Sequence, residues 1–185
     1  MTLQASGSMT IADINTELGR ASGAQLSTDD AELLDMAWLT PSDPITIPDD
    51  LYGTTHLGTL YGTYNVTIGG LLGSGNSFVG YQSGTYGGIS STSYRGETIS
   101  LAVSYTSAFS PPFEPFAVYI SGTGKSSTLI TGVKLPFDES VYPVTRIQES
   151  GGNTIYVCGA ATNPVDGPWD NSNLGDVRSV KIYGT

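Results

Sequence analysis

Gly122-Thr123-Gly124-Lys125-Ser126 carries the glycine, lysine and hydroxyl that end a phosphate-binding loop. Such a loop also needs a glycine five residues before Gly124 and a helix after the lysine, so that backbone N–H groups converge on the phosphate. The first position is Tyr119, and Ser127-Thr-Leu-Ile-Thr131 reads as a strand, so the segment is expected to be a hairpin tip. His56 is the only histidine and lies in a turn-rich bridge. No Gly-x-Ser-x-Gly elbow supplies it with a nucleophile, and zinc needs more ligands than one His and one Cys. The carboxylates of Asp29/Asp30 and Asp49/Asp50 are adjacent in sequence, and adjacent side chains diverge, which makes poor acid/base pairs. The loop Asp166–Asp176 is rich in oxygen ligands but lacks the alternating spacing of an EF-hand. These residues give no catalytic set, no metal site and no cofactor.

Recognition chemistry is better represented. Trp169 sits at the centre of the Asp166–Asp176 loop, where an indole can stack on a sugar ring or a neighbouring subunit. Tyr81, Tyr86 and Tyr94 lie in Gly/Ser-rich stretches and complete the expected recognition surface. Formal net charge is -10 with only 7 Lys and Arg, so a basic footprint for nucleic acid is absent. The charge is uneven: residues 1–63 hold nine carboxylates against Arg20 alone. A segment so biased is suited to a basic partner surface. No apolar window is long enough to cross a membrane, and the N-terminus has neither the basic nor the apolar region of a signal peptide. Cys158, the single cysteine, falls in the apolar run Ile155-Tyr-Val-Cys158 and is expected to be a buried small hydrophobe.

Two modules must position these residues. Residues 1–63 read as short helices between polar turns. Thr10 caps a helix, with Asp13 in the capping-box position and Gly19 as its left-handed stop. Ile11, Ile14 and Leu18 form its stripe. A second helix is expected from Thr28, with Leu33, Leu34, Ala37 and Trp38 as its apolar face and Pro41 as its end. Ser8-Met9-Thr10-Ile11-Ala12-Asp13-Ile14 is echoed by Pro44-Ile45-Thr46-Ile47-Pro48-Asp49-Asp50-Leu51, with one residue inserted. Ile11, Ile14, Leu18, Leu33, Leu34, Trp38, Ile45, Ile47 and Leu51 are expected to bury against a partner. From residue 64 the apolar period becomes two: Val66/Ile68, Ile99–Tyr105, Phe116–Ile120, Leu129–Leu135, Val144/Ile147, Ile155/Val157 and Val180/Ile182. Turn residues such as Gly151-Gly152-Asn153 separate these runs. The spacing predicts a mainly β chain: an antiparallel β-sandwich (Ig-like or jelly-roll-like) over 64–185, preceded by a small segment with short helices.

The segment Ser6-Gly-Ser-Met-Thr-Ile-Ala-Asp-Ile-Asn-Thr-Glu-Leu-Gly19, followed by Ile45-Thr-Ile-Pro-Asp-Asp-Leu-Tyr-Gly53, resembles an N-terminal pattern of tailed-phage virion proteins. The departures are one extra acidic residue at 49 or 50, and Leu51 where an aromatic is usual. The stretches Gly80-Tyr81-x-Ser-Gly-x-Tyr86-Gly-Gly-Ile-Ser90 and Phe116-x-Val-Tyr-Ile-Ser-Gly122 resemble domains that follow this pattern in such proteins. The resemblance implies a non-enzymatic part of the virion, a tail fibre, tail tip or capsid decoration, docked on other virion proteins through its N-terminal segment. A homo-oligomer is expected because a module this small gains stability from self-association, with a trimer natural for a fibre. The alternative is a carbohydrate-binding β-sandwich that meets a host-surface glycan through Trp169 and the loop tyrosines. Assembly is expected in a host cytoplasm.

Overall fold

The computed structural model describes residues 3–185 except 5, 40, 41, 48, 52–55, 73–75, 108–115, 137–139 and 160–172. The chain divides into two units, Met1–Thr59 and Leu60–Thr185. The sequence placed this division after residue 63, because Leu60 and Tyr61 are exposed and hide the start of the first strand.

In unit 1, α1 (Ile11–Glu17) starts on a capping box. The Thr10 N–H donates to Asp13 Oδ2 at 2.8 Å and the Asp13 N–H donates to Thr10 Oγ1 at 3.2 Å. At its end, the N–H groups of Gly19 and Arg20 return to the carbonyls of Thr16 and Asn15, with Gly19 at φ 71. This paired closure satisfies carbonyls that the helix leaves open, and it needs a left-handed residue. The second helix, α2 (Ala31–Met36), is capped by Asp30 rather than Thr28: Asp30 Oδ1 accepts from the N–H groups of Glu32 and Leu33. It ends with the same closure, Trp38 to Asp35 and Leu39 to Leu34, but Trp38 takes glycine's place at φ 61. Trp38 therefore lies beyond the helix and is half-buried, and Met36 joins the buried face instead. Pro41, the expected stop, lies outside the described residues.

The sequence echo is structural. A 3₁₀ turn spans Asp49–Leu51, and the Thr46 N–H donates to Asp50 Oδ2 at 2.6 Å, as Thr10 does to Asp13. The inserted acidic residue lengthens the loop by one position and keeps the bond. Ile14 and Leu51 occupy matching positions and are both 0% exposed. They join Leu3, Leu18, Leu33 and Met36 in a core of unit 1's own, against which Met9 and Ile45 pack.

Unit 2 is mainly antiparallel β. Its strands are β1 (Thr59–Thr67), β2 (Gly69–Leu72), β3 (Asn76–Gln82), β4 (Gly88–Ile89), β5 (Ser93–Tyr94), β6 (Glu97–Ser107), β7 (Phe116–Ser121), β8 (Gly132–Leu135), β9 (Ser140–Ser150), β10 (Asn153–Cys158) and β11 (Val177–Gly184). The order is β2-β3-β6-β7-β10-β9-β8-β11-β1-β4, with β5 on β6. Both ends are tied covalently: β1 runs into β2 through Ile68, and β3 returns to β4 through residues 83–87. The sheet is thus nearly closed, and the expected sandwich is a finer description than this order supplies. Long β9 turns one corner: its first half pairs with β8 up to Pro143 and its second half with β10 from Val144. The β9–β10 hairpin has Gly151 and Gly152 at φ 57 and 77, as a two-residue turn with two left-handed positions requires.

Inward side chains alternate with outward ones, and Val66, Ile99, Phe116, Val118, Val133 and Tyr156 are among those filling the centre. Residues Ala117, Ile155 and Val157 form a second buried cluster on the opposite face of β7 and β10. Burial on both faces explains why Ile155–Cys158 is a continuous apolar run rather than an alternating one. Cys158 is buried in the main cluster. The expected strand Leu129–Leu135 shortens to Gly132–Leu135, because Tyr94 Oη and Tyr156 Oη donate to the carbonyls of Leu129 and Ser126 and hold that stretch as a loop.

Closure rests on three glycines. A Cβ on Gly69 would overlap the backbone of Gly87, and a Cβ on Gly87 would overlap the carbonyl oxygen of Gly80. Gly84 and Gly87 have nearly the same backbone angle, φ 69 and 68, but a Cβ on Gly84 meets nothing within 4 Å. Gly84→Ala is therefore expected to lose only the left-handed backbone term, about 1–2 kcal/mol. Gly87→Ala adds backbone overlap and is expected to cost more than about 3 kcal/mol. Urea unfolding of unit 2 checks the difference; equal losses would show that the close approach is unimportant.

Candidate functional site

The residues expected to bury against a partner divide sharply in the structure. Ile14, Leu18, Leu33, Leu34 and Leu51 are buried within unit 1, and Trp38 and Ile45 are half-buried. The reading of all nine as docking contacts is corrected for these five, because short helices with a small core turn Ile14, Leu18, Leu33, Leu34 and Leu51 inward. Only Ile11, 57% exposed, and Ile47, 41% exposed, remain open.

The recognition tyrosines are likewise corrected. Tyr81 and Tyr94 are buried, and Tyr86 is half-buried. Tyr94 packs on Tyr61 and Tyr64 with ring centroids 6.3 and 6.4 Å away, and its hydroxyl is used by Leu129. Arg95 lies 4.0 Å over the exposed Tyr61 ring, a cation–π contact that occupies that face as well. Burial pushes the Tyr86 phenol up to about 12. Trp169 lies outside the described residues, as does most of the Asp166–Asp176 loop. Of that loop's described part, Asp176 pairs with Arg178 at 2.7 Å. Among the described residues no group of three or more His, Cys, Asp or Glu could hold a metal ion.

In the phosphate-loop look-alike, Lys125 Nζ pairs with Glu97 at 2.7 Å and Gly122 and Gly124 take φ 92 and 74. The lysine is thus committed to a neighbouring strand, and a turn without a helix follows, so no N–H groups converge on an anion. His56 is half-buried, and its backbone N–H donates to Glu17 Oε1 at 3.0 Å. This bond ties the bridge back to the end of α1 and brings no nucleophile to the imidazole.

Sequence reasoning missed an open groove of about 340 Å³ at the β9 corner, lined by Ser127, Ile130, Thr131, Val144, Thr145, Arg146 and Ile147. The pairing register slips between Val157 and Cys158 opposite this corner, and Thr145 Oγ1 donates to the Gly159 carbonyl at 2.7 Å. Pro143 inside an otherwise alternating run was the available signal, since proline interrupts a ladder and marks bends. Hydroxyls around an apolar floor with one guanidinium suit a small polyhydroxylated ligand.

The acidic unit carries its electrostatics in one knot. Arg20 Nη1 and Nη2 bond both Asp30 oxygens at 2.5 and 2.9 Å, and Nη2 also meets Glu32 Oε2 at 2.6 Å. Asp30 also caps α2, so one carboxylate joins the loop after α1 to the start of α2. Asn15 completes the joint: its Nδ2 donates to the Ala24 carbonyl at 2.8 Å. The Arg20 hydrogen bond, aided by the Leu33 and Glu32 N–H groups, holds the Asp30 carboxyl below the usual carboxylate range. A depressed folded-state value means that this stabilisation is fully present above the unfolded value of about 4 and is lost as pH falls through the folded one. Circular dichroism melts of the full chain are expected to show unit 1 losing stability below about pH 4. Arg20→Met is expected to cost about 1–2 kcal/mol at neutral pH and to flatten that acid dependence. An unchanged acid profile in the variant would remove Arg20 as the cause.

No protein-family model, curated protein or solved structure matches the chain.

Proposed function

We propose that the chain is a non-enzymatic structural protein of a tailed-phage virion, which docks on the particle through unit 1 and presents the β unit, most simply as a tail-fibre or tail-tip component. The observation that carries this reading is the coincidence of charge and structure. All nine carboxylates of the acidic N-terminal third fall within the compact unit that ends at Thr59. Its one arginine is occupied internally by Asp30 and Glu32. Such a unit is attracted to a basic protein surface and repelled by nucleic acid and anionic lipid. The resemblance of Ser6–Gly19 and Ile45–Gly53 to the N-terminal pattern of tailed-phage virion proteins supports the same reading, and a capsid decoration is its near variant. Copies of the β unit assemble with one another in this account, with a trimer suiting a fibre.

Gradient-purified particles from a lysed culture check it. The chain is expected at a fixed copy number per particle and is stripped by raised salt. A chain found only in the soluble fraction would contradict it. The β9 groove favours a second reading, a glycan-binding module, in place of the buried tyrosines. A glycan array should then show binding that Arg146→Ala abolishes; an array without any bound glycan removes that reading.

A further inference from the structure

We infer that Ile11 and Ile47 are a matched pair of anchors that insert into apolar sockets on a basic protein surface. This rests on the docking role of unit 1 and names the side chains that perform it.

Five features repeat between the two turns. Thr10 and Thr46 each donate a backbone N–H to a carboxylate, that of Asp13 and that of Asp50. Met9 and Ile45 pack against the core from the residue before each threonine. Ile14 and Leu51 are the fully buried residues that fix each turn to the core. Ile11 and Ile47 follow the threonines and point outward at 57% and 41% exposure. An exposed carboxylate stands two positions beyond each, Asp13 and Asp49. One exposed isoleucine on a soluble surface needs no explanation. Two at equivalent places in a repeated device, on a unit whose other large aliphatics are mostly drawn inward, share a use. The capping bonds hold both turns rigid before binding, which lowers the ordering cost of association.

Charge selects the occupant. Two copies of unit 1 repel each other, and so do nucleic acid and anionic bilayers. A protein surface with Lys or Arg around apolar sockets satisfies the isoleucines and their flanking carboxylates together.

Particles assembled without this chain, mixed with the purified full-length protein, provide the test. Ile11→Ser and Ile47→Ser are each expected to weaken binding about tenfold, and the double variant about a hundredfold, from loss of one buried aliphatic side chain apiece. Both positions are exposed, so melting of the free protein should not change. Val177→Ser, at an exposed residue of unit 2, should leave binding intact. Wild-type tightness in the double variant overturns the inference while leaving the docking role standing. Failure of the wild-type chain to bind overturns both. Self-association in solution that the double variant abolishes would make the occupant a second copy and overturn the basic partner.

Discussion

Arg20 is the interaction on which unit 1 depends. It is the one basic side chain among nine carboxylates in residues 1–63, and both arms of its guanidinium are taken up by Asp30 and Glu32. Without it the carboxylate that caps α2 would keep only the backbone N–H groups of Glu32 and Leu33, and Asn15 alone would tie the loop after α1. Its commitment also has a surface consequence. The positive charge is taken up internally, so the surface of unit 1 is negative, with Ile11 and Ile47 exposed among its described residues. Thr10 does similar work at a smaller scale, holding the Asp13 carboxyl below its ordinary range through its hydroxyl and then its N–H.

Unit 2 depends on a steric constraint instead. Gly69, Gly80 and Gly87 bring backbone against backbone where the two ends of the strand order meet. Within Gly80–Ser90, Gly80 and Gly87 are explained by this approach, and Gly84, where an added Cβ would meet nothing within 4 Å, by its left-handed backbone alone. The buried tyrosines act alongside: Tyr94 and Tyr156 donate hydroxyl protons to the loop carbonyls of Leu129 and Ser126, and Tyr64 to the carbonyl of Ser93 in β5. At these described positions tyrosine fixes backbone rather than forming an exposed recognition surface.

Much of this was legible in the sequence where one rule acted alone. The capping box at Thr10, the stop at Gly19, the two-glycine hairpin, the alternating strand β6 and the apolar runs of β7 and β10 follow from local propensity and period. Strands β2 to β5 were not legible, because Gly69-Gly70 and the Gly80–Gly88 stretch lack the apolar alternation that marks a strand. Their pairing is set by closure, which is a long-range property. The docking stripe was misassigned for a related reason. Amphipathic spacing shows that Ile14, Leu18 and Leu33 must be buried but does not show against what, and they bury against one another. The echo between residues 8–14 and 44–51 held the sharper information, since comparing its two copies separates the residue that faces in from the residue that faces out. The β9 groove had only Pro143 to announce it.

We propose that the acidic N-terminal unit, and not the β unit, meets the particle. Electron cryomicroscopy of the assembled particle tests this directly. Unit 1 is expected to be seated on a basic surface, with Ile11 and Ile47 occluded and the β unit projecting away. A reconstruction with the β unit embedded and unit 1 in solvent would contradict it.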